Sequence, residues 1–487
     1  MQGIVDDSDW LTRLMLGRYR RACRYEFGFG IILFADTAVS ETVVAKEGAM
    51  KFFDRQEEIA RLRAIRQESQ EEARFTVLTG RRRVGKTELV KQAYADESFV
   101  YLFVSRKAEP VLVASFVEEV NRVADDAISP EISSLSGFFR ELFKLAERRP
   151  LTVFIDEFQE FLRINPAVYG DLQGLWDRYH DRVRLNLVVC GSINSLMTKI
   201  FQDRKEPLYG RQTAMMKLAP FTTDVLKEIL SFHSPDYTND DLLALYAFTG
   251  GVAKYVAMLM DAKATTRAKM IKAIVAPDSL FLDEGKMLLS DEFGKDYAVY
   301  FSILSAIARG ATSRNEIEQD VGRAVGGHLT RLESDYHLIV KQEPFGSKST
   351  KIIRYQIDDR FYVFWFRFIF KYDYMLQIGA YEMLRKLVER DYTVFAGKAL
   401  ERYYLQKFAE SGKWTRLGSW WDRKGMNEID LVAENELTER LEVYEVKIDA
   451  QRYRAAQLAQ KVEAFRTALG LKSKHALTTG VLSLSEM

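Results

Sequence analysis

Eight residues, Gly80 to Thr87 (GRRRVGKT), follow the pattern G-x-x-x-x-G-K and then Ser or Thr, which restricts the surrounding fold severely. The pattern works only between a strand and a helix, because consecutive backbone N–H groups and the helix N-terminus together make the anion site. Both flanks are present: Phe75 to Thr79 is an apolar, β-branched run, and Glu88 to Tyr94 is predicted to be helical. In this loop Gly80 and Gly85 allow close approach to phosphates, and Arg81, Arg82, Arg83, Val84 and Glu88 complete the cradle. Lys86 is expected to reach the β- and γ-phosphates of ATP, and Thr87 to ligate Mg²⁺.

A partner for this loop lies downstream. Leu151 to Ile155 (LTVFI) has the continuous apolar character of a buried parallel strand, and it ends in Asp156 and Glu157. At the carboxyl edge of a sheet Asp156 can hold Mg²⁺ while Glu157 polarises the attacking water; an acidic helix cap is the plainer alternative. Phe99–Val104, Leu185–Cys190 and Met215–Leu218 are further strand candidates, with helices predicted at Gln56–Gln70 and Val111–Val123. The expected class is α/β, a three-layer nucleotide-binding core with a parallel sheet. After Cys190, Ser192 or Asn194 can sense a γ-phosphate, although Ser192 equally suits a helix N-cap. Arg211, in PLYGR, can contact the γ-phosphate of its own or a neighbouring subunit's nucleotide.

At 487 residues the chain exceeds what one core usually supports. The expected units are 1–49, 50–220, 221–290, 291–358, 359–395 and 396–487. Lys and Arg (70) balance Asp and Glu (69), so nucleic-acid binding would have to come from local patches. Cys23 and Cys190, far apart, suggest a reducing, cytoplasmic setting without a disulfide framework. No apolar run reaches eighteen residues, so no membrane span is expected. Arg18, Arg20, Arg21 and Arg24 before Phe27–Ala35 resemble a signal peptide, but Glu26 and Asp36 bracket a short apolar core. Residues 1–49 are therefore expected to be an unstructured or non-native extension ahead of Met50.

FFDRQEEI (52–59), GRRRVGKT, FIDEFQ (154–159), GSINSL and LYGR occur in the order found in the AAA+ ATPases of the STAND group often called archaeal-type ATPases, which the chain resembles from Met50 onward. The resemblance implies ATP hydrolysis and places Phe53, Asp54 and Arg55 beside the base. It also implies a helical lid over 221–290 carrying Gly-Gly-x-Pro-x-Tyr. Here TGGVAKYV (249–256) keeps Gly250, Gly251 and Tyr255 but has Ala253 in place of proline.

Beyond the lid, Tyr297–Ala308, Asn315–Asp320 and Val325–His337 read as three helices, followed by strands Ile339–Gln342 and Lys351–Ile357. That order is a winged helix, in which His328, Thr330, Arg331, Lys348 and Lys351 can touch DNA; a protein-binding or interdomain module is the alternative. Asp359–Met375, rich in Phe and Trp, is expected to be a buried helical connector. Last, EIDLV (428–432) and LEVYEVKI (441–448) predict a hairpin that sets Asp430 opposite Glu445, with Lys447 on the same face. Two carboxylates and an amine in this arrangement suit a second Mg²⁺ or Mn²⁺ acting on a phosphodiester, with Glu401 as a further ligand. The pattern resembles the PD-(D/E)XK restriction-endonuclease-like fold. The resulting expectation is an ATPase driving a nucleic-acid-handling tail, or a nucleotide switch that binds DNA or protein partners without cleaving, as a homo-oligomer or otherwise. The five histidines lack ligand spacing, so no structural zinc is expected.

Overall fold

The computed structural model describes residues 52–487 except 125–127, 294–296, 348–351 and 471–475. The expectations for 1–49, Cys23, Lys348, Lys351 and His475, and for the Asn194 side chain, lie outside the described residues.

Five parallel strands form the first sheet: β1 (Arg74–Thr79), β2 (Val100–Phe103), β3 (Leu151–Asp156), β4 (Leu185–Cys190) and β5 (Ala214–Lys217), in the order β2-β3-β4-β1-β5. Alternation along the strands separates two cores. Phe75, Val77, Val153, Ile155, Leu187 and Val189 pack beneath helices Glu109–Ala124, Leu135–Arg148 and Val168–Tyr179. Leu78, Phe154, Val188 and Cys190 face helices Gln56–Glu68 and Lys86–Ala93 instead. β3 and β4 are buried throughout, and their sequences are mostly apolar, with Thr152 and Asn186 as buried polar exceptions bonded to Arg66 and Tyr94.

Helices Thr223–His233, Asn239–Thr249, Ala253–Asp261, Arg267–Ile274 and Leu280–Phe293 follow. Asn239–Thr249 is buried on almost every side, and Gly250 ends it with φ 59°. A Cβ on Gly251 would lie 2.6 Å from the Phe221 carbonyl oxygen, so this glycine is required by close approach. Ala253 takes the first helical position, one that accepts proline and also alanine, so the helix forms here without the proline of the Gly-Gly-x-Pro-x-Tyr pattern.

Helices Tyr297–Arg309, Arg314–Val321 and Gly326–Ser334 then precede an antiparallel hairpin of β6 (Ile339–Gln342) and β7 (Arg354–Ile357). The aromatic connector is buried as expected but is not one helix. Arg360–Phe364 is α-helical, Trp365–Ile369 widens to a π-turn and Phe370–Tyr372 tightens to 3-10 geometry. Helix Tyr381–Glu410 runs straight through the expected unit boundary at 395/396. It opens an α-β-β-β-α-β unit with β8 (Arg416–Trp421), β9 (Glu428–Asn435), β10 (Arg440–Lys447), helix Ala455–Leu469 and β11 (Ala476–Ser483). The sheet order is β11-β10-β9-β8, with β10 and β11 parallel and the other pairs antiparallel. Among the described residues no helix is long and apolar enough to cross a membrane.

Candidate active site

At the carboxyl end of β1 the chain turns through Gly80 at φ 137°, where a Cβ would meet the Leu218 carbonyl oxygen at 2.4 Å. Gly85, at φ 98°, caps the helix that begins with Lys86. The Lys86 ammonium is buried inside the curl and donates to the carbonyls of Gly80 (2.8 Å) and Arg81 (3.0 Å). Burial lowers its pKa, and Cys190, Glu157 and Asp156 oppose that shift. A phosphate oxygen is a stronger acceptor than either carbonyl, so these bonds are ones a triphosphate can displace.

Thr87 and Asp156 meet across the loop, the hydroxyl donating to Oδ2 at 2.6 Å. Tyr101 also donates to Oδ2 (3.2 Å), while the Glu157 N–H (2.9 Å) and the Cys190 thiol (3.0 Å) donate to Oδ1. Burial pushes that thiol's pKa well up, keeping it a proton donor. Two hard oxygens in contact at a helix N-terminus fit a Mg²⁺ shell completed by water and phosphate. Next in sequence, Glu157 adopts φ 57°, a left-handed conformation that turns it out of the strand. Its Oε2 accepts from Ser192 (2.6 Å) and Gln159 (2.5 Å). Ser192 is thus bonded to Glu157, and it does not cap helix Asn194–Gln202, whose N-cap residue is Ile193. Gln159 keeps a buried Oε1 without a protein partner, a second polar atom available to a water at this edge.

The loop's arginines point outward to other units. Arg81 pairs with the buried Asp359, its guanidinium 4.9 Å from the Tyr362 ring centre and 5.8 Å from that of Tyr255. Arg83 forms a two-pronged pair with Glu284 (2.8 and 3.2 Å), which also accepts from Tyr255 (3.1 Å). Arg81, Arg82 and Ser192 line a cavity of about 930 Å³ that reaches Arg402 and Trp421 of the C-terminal unit. Val84 is buried and Glu88 exposed. Phe53 packs against Phe232 with ring centres 5.5 Å apart, and Arg55 donates to the Ala219 carbonyl (2.6 Å) and Glu58 (3.0 Å). Neither lines that cavity.

Arg211 stands apart. β5 runs parallel to β1 with Ala214 beside Thr76, and Arg211 precedes it, at the amino edge of the sheet. From the level of Phe75, bonded to Thr213, to Thr79 is roughly 13 Å at the rise of an extended strand. Arg211 is also held by Asp177 through two bonds of 3.1 and 2.9 Å. Contact with its own chain's γ-phosphate is therefore ruled out, because parallel strands put their starts and ends at opposite edges. In the three-helix unit His328 packs on Tyr300 with ring centres 5.3 Å apart, Thr330 bonds back to Gly326, and Arg331 is exposed.

The second constellation forms as the hairpin predicts. Tyr444 pairs with Leu431, and continuing that register puts Glu445 opposite Asp430. Asp430 Oδ2 accepts from the Val446 N–H (2.8 Å) and Lys447 (3.4 Å), while Glu445 Oε2 accepts from Lys447 at 2.6 Å. Lys461 from the following helix also pairs with Glu445, a partner the sequence pattern did not reveal. Burial raises Asp430; it would raise Glu445 too, but the two lysines hold Glu445 below the usual range. Glu401 bonds to Lys398 (2.9 Å), and burial assisted by Asp430 raises its pKa to about 7. Among the described residues no three His, Cys, Asp or Glu side chains converge as a metal cage, so Glu401 does not close up with the pair.

Of the residues that carry this site, Tyr101, Gln159, Glu284 and Asp359 were not singled out in advance. Gln159 lies inside the FIDEFQ motif, whereas Glu284 and Asp359 become neighbours of the loop only through tertiary folding.

Residues 52–259 match a family described as an ATPase domain predominantly from Archaea. Residues 365–459 match a family of archaeal and bacterial proteins of unknown function. An uncharacterized protein of Methanocaldococcus jannaschii is 28% identical over 406 residues, which is 81% of this chain and 87% of that one. The solved Walker-type ATPase of Pyrococcus abyssi is similar with a TM-score of 0.50 and 21% identity, over 65% of this chain and 96% of its own. The ORC2 protein of Aeropyrum pernix has a TM-score of 0.45 and 14% identity, over 68% and 96%.

Proposed function

We propose that this P-loop ATPase, an ATP-hydrolysing enzyme by its fold and its matched domain, couples nucleotide state to a nucleic-acid-handling tail, in the manner of a STAND-type switch. ATP binds along Gly80–Thr87, with Lys86 on the β- and γ-phosphates. Mg²⁺ supplies charge neutralisation when bound, and Thr87 and Asp156 hold it. Glu157 orients and polarises the attacking water, with Ser192 and Gln159 fixing its carboxylate. The single observation that carries the coupling is the direct pairing of loop arginines with the rest of the chain: Arg81 with Asp359 in the connector, Arg83 with Glu284 in the lid. Any rearrangement of the loop around a triphosphate moves those partners. Arg211, at the opposite sheet edge, serves a neighbouring subunit's nucleotide if the chain assembles.

Three helices and a hairpin support a winged helix as the DNA- or protein-contacting unit, with His328, Thr330 and Arg331 at hand. The α-β-β-β-α-β order with Asp430, Glu445 and Lys447 on one face supports a nuclease of the PD-(D/E)XK type. There Lys447 orients the attacking water, and a second Mg²⁺ or Mn²⁺ sits on Asp430 and Glu445. One observation favours the alternative, a switch that binds without cutting: Glu445 is already neutralised by Lys447 and Lys461. Labelled DNA incubated with the protein, ATP and Mg²⁺ or Mn²⁺, beside Asp430→Ala, separates the two. Cleavage lost in the variant establishes the nuclease, and no cleavage in any nucleotide state leaves the switch.

A further inference from the structure

A second cavity, of about 370 Å³, lies between β7, the connector and helix Tyr381–Glu410. Five cationic side chains line it, Arg354, Arg360, Arg367, Lys398 and Arg402, against only two carboxylates, Glu401 and Glu428. Two of the cations are committed: Arg354 is paired with Glu428 through bonds of 2.9 and 3.3 Å and stacks on Trp421 at 4.3 Å, and Lys398 is paired with Glu401. Arg360 and Arg402 are not matched in this way. Arg360 gives one N–H to the Ile357 carbonyl, and its Nε is buried without a partner. Arg402 reaches only the half-exposed Asp358, at 3.2 Å.

Burial, and then the charge of Arg402, push the Arg360 pKa down to about 10, although Tyr246, Asp358 and Asp359 oppose the shift. Among the described residues Asp358, about half exposed, is the one carboxylate bonded to either of these two guanidinium groups, so the pair keeps capacity for a further anion. The guanidinium fork matches the oxygens of a phosphate far better than a single carbonyl. We propose that this cavity is a phosphate-binding site, with Arg360 and Arg402 gripping one phosphoryl group of a nucleotide or nucleic-acid strand. Its size suits a mononucleotide unit.

Its position favours the strand. Glu428 on the cavity wall lies two residues from Asp430 along β9, on the same face of the strand. A phosphate held at Arg360 and Arg402 therefore leads the next linkage of the strand toward Asp430, Glu445 and Lys447. This direction rests on the nucleic-acid reading above, whereas the anion site itself does not.

The test uses the full chain in a Lys86→Ala background, so that the phosphate loop adds no binding. Fluorescence anisotropy follows a fluorescein-labelled single-stranded deoxyoligonucleotide, with inorganic phosphate and AMP as competitors. Arg402→Gln is expected to weaken binding about ten- to a hundred-fold, as for loss of a charged hydrogen bond. It should also reduce the slope of log affinity against log salt by about 0.7. Arg360→Lys, which keeps charge but loses the fork, guards against misfolding of a buried variant, and melting curves check both. If the oligonucleotide fails to bind but inorganic phosphate or AMP raises the melting temperature only when Arg402 is present, the site stands and the nucleic-acid reading falls. If binding and melting shifts are the same with and without Arg360 and Arg402, the site is refuted, whatever the outcome of the Asp430→Ala cleavage assay.

Discussion

Replacing Asp359 with serine tests the contact that joins the phosphate loop to the tail. The Asp359 side chain is 8% exposed and that of Arg81 21%, and the guanidinium lies over Tyr362, Tyr255 and Phe361. Removing one partner of a buried ion pair costs about 3–5 kcal/mol, because the other charge stays behind unpaired. Water reaches part of Arg81, so the lower end, about 3 kcal/mol, applies. Asp359 also caps helix Arg360–Phe364 by accepting from the Tyr362 N–H at 3.3 Å. Serine preserves a cap, which confines the loss to the pair. Arg81→Met alone should cost less, since it leaves a carboxylate that can take up a proton. The double variant should be more stable than the sum of the single losses predicts by about 2 kcal/mol. Urea unfolding followed by tryptophan fluorescence measures this, using the transition common to all four proteins. Limited proteolysis adds the functional side: ATP should change the cleavage pattern of residues 360–487 in the parent and not in Asp359→Ser, while ATP binding persists. Strictly additive losses, or an unchanged ATP effect in the variant, would refute direct coupling through Arg81.

Lys86→Ala removes the only ammonium inside the loop and should lower nucleotide affinity or turnover at least about 100-fold, given the strength of charge-assisted bonds to phosphate; titration calorimetry with ATP decides, and undiminished binding would remove the assigned site. Gly80→Ala forces a Cβ to 2.4 Å from the Leu218 carbonyl at φ 137°, so β1 and the segment after β5 must part. A loss of more than about 2 kcal/mol by urea unfolding is expected, and a neutral result would contradict the close approach. For Glu401, the pKa rises from 4.5 to about 7 on folding, so its contribution to stability is present below pH 4.5 and is lost as pH climbs to about 7. Asp430 shifts in the same direction and Glu445 in the opposite one. The melting temperature should therefore fall less over that window in Glu401→Gln than in the parent, and identical slopes would contradict the buried, protonated carboxyl.

Local pattern alone carried the nucleotide core. LNLVVC and LTVFI are mainly apolar because β4 and β3 are covered on both faces, and the polar residues they contain, Asn186 and Thr152, are bonded to Tyr94 and Arg66. The glycines of the loop are equally legible, since their positive φ and close contacts exclude side chains. The hairpin around Leu437 was readable because a two-residue period and a turn settle which residues oppose each other. Legibility failed wherever charge pairing spans distant segments. Nothing near Arg81 announces Asp359, 278 positions later by residue number, and nothing near Glu445 announces that Lys461 will fold back onto it. Arg211 shows the same limit in reverse: its motif left open a phosphate contact within its own chain or in a neighbouring subunit, and the parallel direction of β5, which carries it to the far edge of the sheet, argues against the first alone. The sequence by itself determined which residues make the loop, the strands and the acidic pair, because those depend on backbone geometry and on neighbours a few positions away. Only the tertiary structure decided which charges meet, because a salt bridge is selected by the packing of whole units and leaves no periodic trace in either segment.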